Sequence, residues 1–126
     1  MTSEPPQNRF FHAPRESELA DDEVRSRVRS DFFDVRSRFL DRLACAQVFD
    51  RELFEALLLS LDTLRRCYAA AELPMAASDF DQFNCIAGYL EQEATHSRDQ
   101  RVECVAAHAQ WVGVMRQYHL LPGDQP

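Results

Sequence analysis

Seven apolar residues, Val24, Val28, Phe32, Val35, Phe39, Leu43 and Ala46, recur at alternating steps of four and three. That spacing falls on one face only when the chain is wound at 3.6 residues per turn. A long helix with a single apolar stripe results, and such a stripe has to be covered by other elements. Glu18, Asp21, Asp22 and Glu23 stand just ahead of it, where the positive end of a helix dipole favours negative charge. The helix is expected to start between Ser17 and Asp22 and to end near Ala46.

Three more helices are expected to supply the cover. Asp50 suits the cap of a second helix running to about Glu72, with Leu53, Leu57, Leu61, Leu64, Tyr68 and Ala71 inward and Pro74 as its stop. A third starts near Ser78 or Asp79, buries Phe80, Phe83, Ile86, Ala87, Leu90 and Ala94, and ends around Thr95 to Ser97. The fourth runs from about Asp99 to His119 and carries two stripes. Val102, Val105, Ala109 and Val112 form one; Cys104, His108, Trp111, Met115 and Tyr118 form the other. A helix apolar nearly all round is buried on both sides, so either it is central or one face meets another chain.

Residues 1–15 contain Pro5, Pro6 and Pro14 and have no amphipathic period, which reads as a mobile arm. Its adjacent Phe10 and Phe11 need somewhere to dock, and packing back on the arm's own domain is preferred to docking on a partner. The expected fold class is all-α: a four-helix bundle-like single domain over 16–126 with a flexible N-terminal arm over 1–15.

Charge narrows the function. All 14 basic residues are Arg against 21 acids, giving a net charge of −7, which argues against general nucleic-acid binding because that requires neutralising phosphates. Absence of Lys, whose codons are AT-rich, points to a GC-rich and so bacterial genome. The charge is unevenly spread: residues 24–42 hold six Arg and three Asp, whereas residues 52–95 hold eight acids and two Arg. No apolar run suits a membrane span and no secretory leader is recognisable, so a cytoplasmic protein with no membrane partner is expected. Cys45, Cys67, Cys85 and Cys104 lie at wide spacings, which suits free buried thiols rather than a disulfide framework or structural zinc.

Catalytic patterns are weak. Cys104 and His108 stand four apart and share a helix face, the spacing of two zinc ligands, but the short paired spacings of zinc sites are missing. Glu93-Ala-Thr-His96 matches the Glu-x-x-His element of di-iron bundles once, without its second copy. Three glycines, Gly88, Gly113 and Gly123, make no phosphate loop. The expectation is a protein that is no enzyme and needs no metal or cofactor.

Binding is better supported. On the first helix Arg25, Arg29 and Arg36 border the apolar stripe on one side, and Arg27, Arg38 and Arg42 on the other. Phe33 and Leu40 add an apolar patch beyond the first border, and Arg beside aromatic groups is the composition of interface hot spots. The alternative is that the Arg stems edge the core and pair with Asp31, Asp34 and Asp41. The expected function is a small bacterial regulator that sequesters or inhibits a protein partner, in the manner of an anti-activator, antitoxin or immunity protein. Arg25, Arg29, Phe32, Phe33, Arg36, Phe39 and Leu40 are the expected partner-binding residues. A homodimer through Cys104, His108, Trp111, Met115 and Tyr118 is expected beside it. A ligand- or metal-binding bundle and an acidic nucleic-acid mimic are the alternatives.

Overall fold

The computed structural model describes residues 7–124. The fold is all-α: four main helices, α1 (Asp22–Cys45), α2 (Arg51–Ala70), α3 (Ala77–His96) and α4 (Arg101–Gln117), account for most of it, as in a four-helix bundle-like protein. A two-residue pair of strands, β1 (Gln7–Asn8) and β2 (Phe11–His12), precedes them, with single 3₁₀ turns at Glu16–Glu18 and Pro122–Asp124. Among the described residues no helix is long and apolar enough to cross a membrane.

The caps follow from local chemistry. Asp21 Oδ1 accepts the backbone N–H groups of Glu23 and Val24 at 2.8 and 3.2 Å, so α1 opens where the acidic cluster stands. Asp50 accepts the Leu53 N–H at 3.1 Å and caps α2, satisfying a donor that has no partner within the helix. Two helices end in Schellman turns built without glycine. At the end of α2, Glu72 takes φ 57°, its N–H reaches Ala69 O, and the Leu73 N–H reaches Tyr68 O. At the end of α4, His119 takes φ 59°, with Leu120 N–H on Met115 O at 2.8 Å and the Leu120 side chain buried.

The chain divides into two compact units, residues 1–42 with 50–74 and residues 43–49 with 75–126. In the first, α1 and α2 run antiparallel: Arg42 pairs with Asp50 at one end, Phe39 meets Phe54 at 5.7 Å, and Arg25 reaches Tyr68 at the other. Val28, Phe32, Val35 and Phe39 of the α1 stripe are out of water, together with Leu53, Phe54, Leu57, Leu61 and Leu64 of α2. At the start of the stripe Val24 is only half-buried, and Ala46, past the helix end, is exposed.

Within the N-terminal segment, residues 7–12 form a short hairpin in contact with α2. Asn8 pairs with Phe11 across an antiparallel hairpin, and Asn8 Oδ1 accepts the Phe10 N–H at 2.7 Å to close its turn. The Asn8 side-chain amide donates to Glu52 O at 3.0 Å, and Arg9 pairs with Glu52. Phe11 is 1% exposed, and its burial, worth about 1.5–3 kcal/mol, offsets part of the entropy cost of ordering the segment. A hairpin with two residues per strand leaves too few positions for alternation to be read in the sequence. The rest of the expected arm, residues 1–6, lies outside the described residues.

In the second unit α3 and α4 are antiparallel. The Trp111 indole N–H donates to Phe83 O at 3.0 Å, and the Asn84 amide reaches Leu120 O at 3.5 Å. Where the chain enters α4, Ser97 Oγ accepts the Gln100 N–H and Gln100 Oε1 accepts the Phe49 N–H, both at 3.0 Å. Phe83, Ile86, Leu90, Cys104, Trp111 and Met115 are excluded from solvent.

Candidate interaction surfaces

The Arg residues of α1 divide into two groups. Arg27 pairs with Asp31, Arg38 with Asp34 and Arg42 with Asp50, at 4.0, 3.1 and 3.3 Å. That border of the stripe is held in intramolecular pairs, as the covering-stem alternative requires for Asp31 and Asp34. Burial raises the Asp31 carboxyl from its ordinary value, Arg27 opposes the rise and Asp34 adds to it.

The opposite border is different. Arg29 and Arg36 lie one turn before and one turn after Phe33, with guanidinium carbons 4.8 and 5.3 Å from its ring centre. The ring itself stands edge-on to buried Phe32, 5.7 Å away at 73°. Phe33 and Leu40 are half-buried, so the expected apolar patch exists but is partly shielded, Phe33 by the guanidinium groups beside it. The Arg36 Nε and the Arg25 Nη1 are both buried without a hydrogen-bond partner, while Arg25 Nη2 is tied to Asp22 at 2.7 Å.

Two of the expected partner-binding residues do not belong to any surface. Phe32 and Phe39 are completely excluded from solvent, because they lie in the 4-3 stripe that the core consumes. The strip left for recognition is Arg25, Arg29, Phe33, Arg36 and Leu40, all half-buried.

On α4 the roles of the two stripes are reversed from the expectation. Cys104, Trp111 and Met115 are wholly buried within the chain itself, and His108 and Tyr118 are half-buried. The indole needs both a carbonyl for its N–H and a large apolar hollow, and α3 supplies them at Phe83. Cys104, Trp111 and Met115 therefore have no free face to give to a second chain. The first stripe is the exposed one: Val102 is 78% and Val105 53% exposed, Ala106, Ala109 and Gly113 are exposed, and Val112 is half-buried.

Reactive chemistry is not assembled around the cysteines. Cys67 and Cys104 are buried, but Cys45 and Cys85 are exposed, so the expectation of four buried thiols holds for only two. Burial, with Glu93 and Glu103 adding to it, pushes the Cys104 thiol up to about 11. Burial also raises Cys67 against the pull of Arg25, Arg27 and Arg66. Both stay protonated near neutrality, the state least suited to attack or ligation. Among the described residues no three His, Cys, Asp or Glu side chains are grouped to hold a metal ion. A shallow cleft of about 330 Å³ on the first unit is lined by His12, Arg15, Glu18 and Arg27, but Glu18 is occupied in accepting the Arg15 N–H at 3.0 Å. No protein-family model, curated protein or solved structure matches the chain.

Proposed function

We propose that the protein is a regulatory binding protein that captures another protein through the Arg29, Phe33, Arg36 and Leu40 strip of α1. The observation that carries this reading is the Phe33 ring between two guanidinium groups, one of which keeps a buried Nε donor without an acceptor. The half-buried Arg29 and Arg36 present guanidinium groups to a carboxylate brought by a partner, a charge-assisted pairing of the stronger kind. Phe33 and Leu40 supply apolar contact beside it, and Arg29 orients the approach. Sequestration or inhibition of the captured protein follows from covering its surface.

The test is capture from cells of the native host, by wild type and by a Phe33→Ser, Leu40→Ser double variant, with circular dichroism as the check on folding. One protein retained in stoichiometric amount by the wild type, released by the double variant and weakened by Arg36→Ala, is the expected result. Equal retention by a normally helical double variant refutes it.

A further inference from the structure

Resting on the capture reading above, we infer the chemistry of the partner: an amphipathic helix, apolar along its centre and acidic along one flank only, with two carboxylates set to meet Arg29 and Arg36. Around a helix at about 100° per residue, Phe33 and Leu40 lie within about 20° of each other and about 10 Å apart along the axis. They form a short apolar ridge parallel to α1, and both are only half-buried. Arg29 and Arg36 fall about 40° and 60° to one side of Phe33. Ser26, Ser30 and Ser37 fall on the other side, all exposed, with Asp34 and Asp41 beyond them. Between Arg25 and Leu40 no acid falls on the Arg flank.

That relief suits a helix. A lane of short serine side chains beside a ridge of large ones is the surface into which the ridge of a second helix packs, and laying an apolar helix face on such a surface is a common mode of recognition. The cations are positioned in advance. Both guanidinium carbons sit against one ring, 4.8 and 5.3 Å from its centre, so they are at most about 10 Å apart, close to the rise of two helical turns. Acids seven residues apart on a partner helix span that separation. An apolar residue at the third or fourth place between them then lies over Phe33. Guanidinium groups already held against the ring have less rotamer freedom to lose on pairing.

The one-sided charge chooses between anionic partners. Nucleic acid is negative along its whole length and, laid on the same ridge, meets Asp34 and Asp41 as well as the Arg flank. Asp34 stands in the open, its side chain 62% exposed beside Arg38. A helix acidic on one flank meets only the Arg residues. The net charge of −7 also weighs more against a polyanion than against a partner bringing two carboxylates.

Fluorescence anisotropy with two labelled helical peptides tests this. One carries Glu at two places seven apart, with Leu at the third and fourth places between them; the other has Lys in place of both Glu. The expected result is that the wild type binds the Glu peptide, less tightly as salt rises, and that Arg36→Glu weakens this binding at least about tenfold. The Arg29→Glu, Arg36→Glu double variant is expected to gain binding of the Lys peptide, which damage to the fold cannot produce. Should that variant lose helicity by circular dichroism, Arg36→Glu against a peptide with a single Glu exchanged for Lys takes its place. No binding of the Glu peptide by the wild type, binding indifferent to Arg36→Glu, or no gain on charge reversal overturns the inference. So does tighter binding of a single-stranded oligonucleotide. A wild type heavier than 14.6 kDa in solution, whose extra mass is lost in Arg36→Glu, overturns it too, because a second copy is then the occupant. Failure of the peptides while cellular capture still depends on Phe33 and Leu40 removes only the acidic helix; capture indifferent to Phe33→Ser, Leu40→Ser removes the capture reading itself.

Discussion

Replacing Trp111 by Phe separates a core role for the inward stripe of α4 from an interface role. The indole is fully buried and its N–H donates to Phe83 O at 3.0 Å. Phe keeps the six-membered ring and removes the pyrrole part, about two carbon groups' worth of burial, or ~1.5 kcal/mol at about 0.8 kcal/mol per group. The lost hydrogen bond adds about 1 kcal/mol. Phe83 O lies inside α3 and keeps its helical donor, so no orphaned acceptor adds to the cost. A loss of about 2.5 kcal/mol lowers the melting temperature by roughly 10 °C in a chain of this size. Thermal melts at 5 and 200 µM measure it, and because the chain has one Trp its fluorescence reports the site directly. The shift in Trp111→Phe relative to wild type should be the same at both concentrations, since a core residue acts within each chain. A wild-type emission maximum typical of solvated indole, or a melting shift that vanishes at low concentration, refutes the placement of Trp111 in the monomer core.

Other perturbations follow from the same geometry. His119→Gly and Glu72→Gly each relieve a left-handed residue at a Schellman turn and should raise stability by about 0.5–1 kcal/mol in urea melts, after allowing for the looser unfolded chain. Asp50→Ala removes both the Leu53 N–H cap and the Arg42 pair and should cost about 1–2 kcal/mol in the same melts. Thiol labelling of the native protein at pH 8 should modify Cys45 and Cys85 quickly and leave Cys67 and Cys104 slow until the chain unfolds. Cys104 also makes stability pH-dependent: its thiol rises from about 9 to about 11 on folding, so the fold favours the protonated form. That contribution is flat below pH 9 and is lost as pH climbs from 9 to 11, by an amount on the order of 3 kcal/mol; urea melts of wild type and Cys104→Ala across that range should converge.

Much of the fold was legible because it rests on local rules. The α1 stripe, the Asp50 cap and the break near Pro74 each specify their element without reference to the rest of the chain, and all four helices stand within a few residues of where the spacing puts them. The hairpin at residues 7–12 was not legible. What holds it is a long-range match, the Asn8 amide on Glu52 O and the burial of Phe11, and nothing within the segment announces that match. The division into two compact units is hidden for a related reason. Periodicity shows that a face is apolar but not which element covers it.

The candidate surfaces show that same limit at work on single residues. Phe32 and Phe33 are neighbours of one type, and only the phase of the stripe separates them: Phe32 is in register with Val28 and Val35 and is consumed by the core, while Phe33 is left to its flanking guanidinium groups. On α4 phase cannot decide, because both faces are apolar. Size does decide. A stripe of Cys104, Trp111 and Met115 can fill the volume beside α3, whereas Val102, Val105, Ala106 and Ala109 cannot, and interiors tolerate little empty space. The large side chains therefore turn inward, and the small apolar ones are left in water without any charge among them. A helix whose spare face is small and uncharged, rather than polar, retains the ability to pack closely against another helix.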